Sequence, residues 1–268
     1  MNLLFAINHR FINLFQSCIC SILQNGGEDR YTAYILHSDL SDSQKQLLQR
    51  ETGERVDCRF IDVDPAYFNG FPESERYPKQ IYYRLASPLL LPADLDRILY
   101  LDVDTVVINP LRPFYETEFE GAYYVGCTHT NAFLSKLNQM RLGSEKETPY
   151  INSGVLLFNL SALRQNFSLE EIRSYANKKQ YVLMLPDQDI LTALYGDKVK
   201  LADTMRYNLS DRMLAFHNAN PANEKIDLDW IRKNAVVIHY CGKNKPWTDH
   251  YMGTLGIFYQ EIQNQEHN

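Results

Sequence analysis

The chain has 268 residues, enough for one large α/β domain or two small ones. With 45% hydrophobic and 22% charged residues, its composition is that of an ordinary folded protein. A formal net charge of −6 argues against nucleic acid and against an anionic membrane surface as the main partner, so we expect at most a peripheral membrane contact. Any anionic substrate must therefore be met by local positive charge or by a metal.

The cysteines and the N-terminus indicate a cytoplasmic protein. The five cysteines are scattered and include no CxxC, which argues against a disulfide framework and against a zinc site. The apolar start "MNLLFAI" is interrupted at Asn8, His9 and Arg10, too early for a signal peptide. No window approaches the roughly 20 apolar residues of a membrane span.

The first part of the chain alternates between strands and helices. The predicted elements are strand 3–7, helix 11–25, strand 31–37, helix 41–53 and strand 56–63. Gly26 and Gly27 end the first helix, and Ser41 with Gln44 forms a capping box for the second. This βαβαβ order predicts a parallel sheet with helices on both faces, with ligands at the carboxyl ends of the strands.

Beyond Asp104 the pattern is mixed. The strand candidates are 122–127, 155–159 and 236–240, and the helical stretches lie near 170–178 and 188–195. Residues 128–150 are polar with weak periodicity, which predicts a helical excursion or a mobile lid. Since no repeat or linker interrupts the chain, we expect one domain.

A pair of aspartates ends one apolar run, in "ILYLDVDTVV". Side chains at i and i+2 of an extended chain project the same way, so Asp102 and Asp104 aim two carboxylates at one point. An exposed pair of this kind is often only a solvated turn, but charge inside an apolar run must be solvated or paired. Two enzyme classes fit. In phosphatases of the haloacid dehalogenase type Asp102 would be a nucleophile, and in nucleotide-sugar glycosyltransferases the pair would bridge a divalent cation to a diphosphate.

Four further segments bear on this choice. They are "FIDVDP" (60–65), "INSGVLLFNL" (151–160), "LPDQDIL" (185–191) and "VVIHYCGKNKPW" (236–247). In order and spacing, these segments and the aspartate pair closely resemble glycosyltransferase family 8, over roughly residues 1–250. The resemblance implies a single-domain GT-A type fold, an α/β architecture with a Rossmann-like, mixed but mainly parallel sheet flanked by helices. Residues 1–250 would form the catalytic domain and 251–268 a C-terminal helix or tail.

The resemblance also implies an activity, namely transfer of glucose or galactose from a UDP-sugar to a hydroxyl of a saccharide or glycoconjugate acceptor, with retention. Asp102, Asp104 and His239 would hold Mn²⁺, with Mg²⁺ as the other possibility. Lys245 and the backbone near Gly242 would hold the diphosphate. The implied catalytic residues are Arg84, Asp187, Gln188 and Lys245. The implied donor-binding residues are Ala6, Asn8, Phe11, Arg84, Asp102, Val103, Asp104, Asn152, Ser153, Gly154, Asp187, Gln188, His239, Gly242 and Lys245.

The chain departs from the family after its first strand. Bacterial relatives commonly carry aspartate at the position of Asn8, and asparagine and tyrosine where this chain has Arg10 and Phe11. The Asn8 carbonyl can still accept a hydrogen bond from uracil, and Phe11 can stack on the base. These departures leave a UDP-sugar-binding module without transfer as a further alternative.

Overall fold

The computed structural model describes residues 1–28, 30–74, 78–130, 132–143 and 148–266. The strands are β1 (Asn2–Ala6), β2 (Tyr31–His37), β3 (Val56–Asp62), β4 (Arg97–Leu101), β5 (Thr105–Val107), β6 (Tyr124–Thr128), β7 (Ile151–Asn159), β8 (Val199–Leu201) and β9 (Val237–His239). The α-helices are α1 (Ile12–Asn25), α2 (Asp42–Thr52), α3 (Ser87–Leu90), α4 (Arg112–Tyr115), α5 (Ala132–Leu142), α6 (Leu160–Asn166), α7 (Leu169–Lys179), α8 (Pro186–Tyr195), α9 (Thr204–Tyr207), α10 (Asp211–Ala219), α11 (Leu228–Asn234) and α12 (Gly256–Glu266). Short 3₁₀ helices span His9–Phe11, Gly53–Arg55, Pro65–Phe68, Lys79–Ala86 and Gly196–Lys198.

Seven strands form the main sheet, in the order β3-β2-β1-β4-β7-β6-β8. Within it β7 runs antiparallel to β4 and β6, and the other neighbouring pairs are parallel. A second sheet pairs β5 with β9 in antiparallel fashion. The prediction of a mixed, mainly parallel sheet is confirmed, and the first three predicted strands lie side by side.

The end of α1 and the start of α2 lie where the local sequence signals predict them. The Gly26 N–H donates to the Ile22 carbonyl at the end of α1. At the start of α2 the Ser41 hydroxyl accepts from the Gln44 N–H, while the Gln44 side chain accepts from the Ser41 N–H. Both ends are thus capped by groups that the helix itself leaves unsatisfied, as predicted.

The main sheet is covered on both faces. Alternate residues of β1 divide between them: Leu3 and Phe5 pack with α1, whereas Leu4 packs with the helical segment 79–90 and with α7 and α8. A third cluster joins β5 and β9 to α10, α11 and α12, and Phe258 of α12 is buried in it. Burial on both faces explains the nearly continuous apolar runs of the first strands.

Several elements were not predicted. The segment 128–150 contains α5, so its described part is a helical excursion, and residues 131 and 144–147 lie outside the described part. The strand β8 and the helices α6, α9, α10 and α11 had no counterpart in the sequence pattern. Within the described ranges, no helix has both the length and the apolarity needed to cross a membrane.

Candidate active site

The two aspartates lie where the main sheet gives way to the small one. Asp102 follows β4, and its N–H donates to the Gly154 carbonyl of β7 at 2.8 Å. Asp104 precedes β5, and its carbonyl accepts from the Tyr240 N–H at 2.9 Å. Because β5 pairs with β9, the antiparallel ladder holds His239 beside the two carboxylates.

Asp102, Asp104 and His239 form a cluster of potential metal ligands. The His239 Nε2 lies 3.2 Å from Asp104 Oδ1 and 3.8 Å from Asp102 Oδ2, and one ligand atom of each residue lies within 4.8 Å of the others. The His239 Nδ1 is 2.9 Å from Asn208 Oδ1, an acceptor for the Nδ1 proton that orients Nε2 toward the carboxylates. Two carboxylates and an imidazole suit a divalent cation such as Mn²⁺ or Mg²⁺.

Gly154 leaves the space that the side chains of this cluster occupy. A Cβ atom at this position would lie 2.3 Å from His239 Cε1 and 2.6 Å from Asp102 Oδ2, far inside van der Waals contact. The family resemblance implied only that Gly154 is one of the donor-binding residues. The structure supplies a reason for glycine at this position, because two of the three potential metal ligands occupy the space of its missing side chain.

Lys245 supplies positive charge to the cluster. Its Nζ lies 2.5 Å from Asp104 Oδ2, donates to the Tyr240 carbonyl at 2.7 Å, and sits 5.3 Å from the centre of the Trp247 ring. Burial raises the pKa of Asp104, but His239 and Lys245 outweigh burial and hold that pKa well below its ordinary value. Asp104 is therefore an anion at neutral pH, as a metal ligand must be.

Arg84 connects Asp102 to Asp187. Its buried guanidinium places Nη2 2.9 Å from Asp102 Oδ1 and Nε 3.4 Å from Asp187 Oδ2, and Nη1 donates to the Ser153 carbonyl at 2.9 Å. The guanidinium carbon lies 4.4 Å from the centre of the Tyr100 ring. In this arrangement Arg84 fixes two carboxylates of the site.

The first turn of α8 brings Asp187 and Gln188 to the same place. Asp187 Oδ2 accepts from the Ser153 hydroxyl at 2.8 Å. Burial raises the pKa of Asp187, and Arg84 opposes that rise. Gln188 Oε1 accepts from the Ser153 N–H at 3.3 Å and from Asn152 Nδ2 at 3.4 Å. Asn152 Oδ1 in turn accepts from Asn208 Nδ2 at 2.9 Å, which ties this corner to His239.

The residues after β1 share the same edge of the sheet, because β1 is parallel to its neighbour β4. Asn8 Oδ1 accepts from the Arg10 N–H at 2.9 Å and caps the short helix His9–Phe11, so its carbonyl already has a donor. Phe11 is exposed, and Ala6 is the last residue of β1. At another turn, Gly242 has a φ of +96°, a conformation that favours glycine.

Contacts thus join most of the predicted site into one cluster. Its predicted members are Arg84, Asp102, Asp104, Asn152, Ser153, Gly154, Asp187, Gln188, His239 and Lys245. Val103 lies between the two aspartates, whereas Ala6, Asn8, Phe11 and Gly242 lie on the neighbouring loops and strand end.

Three residues of the site were missed from the sequence. The Tyr100 hydroxyl donates to Asp102 Oδ1 at 2.6 Å, and its i−2 spacing from Asp102 was a usable signal. Asn208 is fully buried and carries no local signal. Asp189, also fully buried, accepts from Arg141 at 2.7 and 2.9 Å and from the Tyr150 hydroxyl at 2.7 Å, which anchors α8 to α5.

Comparison with known proteins establishes the family. The model of the family described as "Glycosyl transferase family 8" matches residues 2–251. The chain belongs to glycosyltransferase family 8. Its members are nucleotide-sugar-dependent enzymes that use a divalent metal, and the resemblance read from the sequence motifs is confirmed.

Relatives and solved structures agree with this assignment. A lipopolysaccharide 1,2-glucosyltransferase of Escherichia coli is 29% identical over 253 residues, which cover 92% of this chain and 73% of the relative. General stress protein A of Bacillus subtilis is 25% identical over 234 residues, covering 85% of this chain and 80% of the relative. The structure of the galactosyltransferase LgtC, solved with donor and acceptor sugar analogs, matches with a TM-score of 0.81 and 25% identity, covering 99% of this chain and 96% of LgtC. The predicted GT-A fold is thereby confirmed.

Proposed function

We propose that this chain transfers glucose or galactose from a UDP-sugar to a hydroxyl of a saccharide or glycoconjugate acceptor, with retention at the anomeric carbon. The observation that carries the proposal is the cluster of Asp102, Asp104 and His239, with its imidazole oriented by Asn208. The similar proteins named above include a lipopolysaccharide glucosyltransferase and a galactosyltransferase, which supports a hexose donor and a saccharide acceptor.

Asp102, Asp104 and His239 would hold Mn²⁺, and when bound the ion supplies positive charge that stabilises the departing diphosphate. Lys245 adds a second positive charge beside the same carboxylates. The Arg84 Nη2 lies 2.9 Å from Asp102 Oδ1 and holds this carboxylate, so it restricts the direction in which Asp102 can bind the metal.

The route to retention depends on which group faces the anomeric carbon. Double displacement needs a nucleophile on the opposite face of the sugar, and an amide oxygen such as that of Gln188 is a poor one. Asp187 is a carboxylate, but Arg84 and the Ser153 hydroxyl already bind its Oδ2. We therefore favour a front-face route, in which the departing phosphate helps to deprotonate the acceptor.

Family membership decides between the two enzyme classes that the aspartate pair allowed, and it removes the phosphatase alternative. The other alternative, a UDP-sugar-binding module without transfer, differs in a measurable way because it forms no product. The search for product should use UDP-glucose and UDP-galactose separately, since these sugars differ only in the orientation of one hydroxyl.

A thermal-shift panel and a turnover assay test the proposal together. We expect UDP and one UDP-hexose to raise the melting temperature only when Mn²⁺ or Mg²⁺ is present, and GDP-sugars to have little effect. Asp104→Asn should remove metal-dependent hydrolysis or transfer of the UDP-sugar. The matched control is Asp57→Asn, an exposed aspartate paired with Arg59 on the edge strand β3. Undiminished turnover in Asp104→Asn would defeat the metal assignment, and UDP binding without any product would favour the binding module.

A further inference from the structure

The helix α5 exposes four of its apolar side chains, while two of its polar side chains are half-buried. Phe133 and Met140 are 68% and 73% exposed, and Leu134 and Leu137 are exposed between them. Ser135 and Asn138 are half-buried, and the Ser135 hydroxyl lies 2.8 Å from the Thr130 hydroxyl. A helix on the surface of a globular protein normally does the reverse, with its apolar stripe against the core. The outer side of α5 is therefore shaped to meet something apolar.

A second apolar segment continues this surface. Residues 181–185 link α7 to α8, and within them Tyr181 and Met184 are 93% and 65% exposed. Arg141 of α5 donates to the Val182 carbonyl at 2.6 Å, so the helix and the segment are in direct contact. We call the side chains of Phe133, Leu134, Leu137, Met140, Tyr181 and Met184 the apolar face.

The apolar face adjoins the candidate active site. The segment 181–185 runs directly into Pro186, Asp187 and Gln188 at the start of α8. The opposite end of α5 follows β6, whose last residues lie at the same edge of the sheet as Asp102, because β6 and β4 are both antiparallel to β7. Anything docked on this face would thus lie beside the proposed point of transfer.

Exposed lysines lie close to the apolar face along the chain. Lys136 on α5 and Lys178 at the end of α7 are exposed, and Lys179 is half-exposed. The Arg141 guanidinium is paired with the buried Asp189. Exposed aliphatic and aromatic side chains with lysines at their rim match the interface of an anionic lipid bilayer, which attracts basic residues and accepts apolar ones.

We propose that the apolar face docks on an anionic membrane surface and so presents the active site to acceptors carried by that surface. The location of the docking face is independent of the chemistry, but the role given to it rests on the proposed function. The test therefore contains neither donor sugar nor acceptor, so that failure of docking and failure of the transferase proposal give separate results.

Vesicle flotation of the full chain tests the proposal. Vesicles of phosphatidylethanolamine with about one-third phosphatidylglycerol are compared with pure phosphatidylcholine vesicles. The wild type should float with the anionic vesicles, and added salt should reduce the bound fraction. Phe133→Asn/Met140→Asn should lower the partition coefficient at least about tenfold, since two large apolar side chains leave the interface. Lys136→Gln should lower it about fivefold on anionic vesicles only.

The matched controls replace exposed apolar side chains and an exposed lysine that are not part of the apolar face. Leu89→Asn/Phe216→Asn changes two side chains that are 50% and 60% exposed on α3 and α10, and Lys233→Gln removes an exposed lysine of α11. These variants should bind vesicles like the wild type. Every variant must keep its far-ultraviolet circular dichroism, and Met140→Asn alone replaces the double variant if that does not fold.

Three results would overturn the proposal. The first is a wild type that binds neither kind of vesicle. The second is an equal loss of binding in the Leu89→Asn/Phe216→Asn control. The third is a wild type that forms dimers in solution which Phe133→Asn/Met140→Asn converts to monomers, because a second copy of the chain would then cover the apolar face.

Discussion

Replacing Gly154 with alanine tests whether the close approach around this residue builds the metal site. The added methyl group would lie 2.3 Å from His239 Cε1, so the imidazole or the strand must move by about 1 Å to reach ordinary contact. Gly154 is not among the described glycines with positive φ, so the backbone accepts alanine and the effect is steric. Overpacking of this kind costs about 1–3 kcal/mol of folding free energy. Displacing a ligand should weaken metal affinity at least about 10- to 100-fold.

The assay separates these two effects by comparison with Gly126→Ala. A Cβ at Gly126, on β6 of the same sheet, would lie 2.6 Å from the Cδ2 end of the Leu156 side chain and touches no residue of the site. Both variants should melt lower, by about 2–4 °C for each kcal/mol lost. Only Gly154→Ala should also lose the extra stabilisation that UDP gives with Mn²⁺. A Gly154→Ala protein that keeps the full Mn²⁺-dependent UDP shift would refute the reasoning.

Three further predictions concern groups around the site. Asn208→Ala removes the acceptor that orients His239 and should weaken Mn²⁺ binding about 10- to 100-fold in a metal titration, and unchanged affinity would contradict this role. Arg141→Met leaves Asp189 fully buried without its cation and should cost about 3–5 kcal/mol in urea unfolding, whereas a loss below about 1 kcal/mol would show the pair to be unimportant. Burial, His239 and Arg212 lower the pKa of His129 from 6.5 to about 3, although its bond to the Asn208 carbonyl opposes the shift. As the pH falls from 6.5 toward 3, the His129 imidazole therefore takes up a proton in the unfolded chain but stays neutral in the folded one. The free energy of unfolding falls across that range, by up to about 1.4 kcal/mol per pH unit. His129→Gln should flatten this slope in unfolding curves measured between those pH values, and an unaltered slope would contradict the buried neutral state.

The predictability of the fold differs between the two halves of the chain. The first strands are buried on both faces, so their apolar runs are strong signals. The glycines correctly predicted the end of α1, and the capping box correctly predicted the start of α2. Two of the later helices that the sequence pattern missed are short: α9 has 4 residues and α11 has 7, too few to show a helical period. The N-caps Asp203, Ser210 and Asp227 were the signal that could have revealed α9, α10 and α11.

The candidate site divides in the same way. The sequence predicted the convergence of Asp102 and Asp104 from the alternation of side chains along a strand, but in the structure the two residues lie in the short connection between β4 and β5. Their meeting with His239 depends on the pairing of β5 with β9, a contact between segments more than a hundred residues apart that only the family resemblance could suggest. Asn208 is a buried amide whose role depends on three distant partners, and a single sequence contains no local pattern for such a residue.

The hydrogen bonds from His239 to Gln188 all point in one direction. His239 Nδ1 donates to Asn208, Asn208 Nδ2 to Asn152, and Asn152 Nδ2 to Gln188. Donors aligned in series polarise one another, so each bond strengthens the next. Under the proposed function, His239 at one end of this series of hydrogen bonds binds the metal, and Gln188 at the other end contacts the sugar. Linkage then requires that the factor by which the sugar changes the affinity for metal equals the factor by which the metal changes the affinity for sugar. The preference for a donor sugar and the preference for an ion would therefore be coupled.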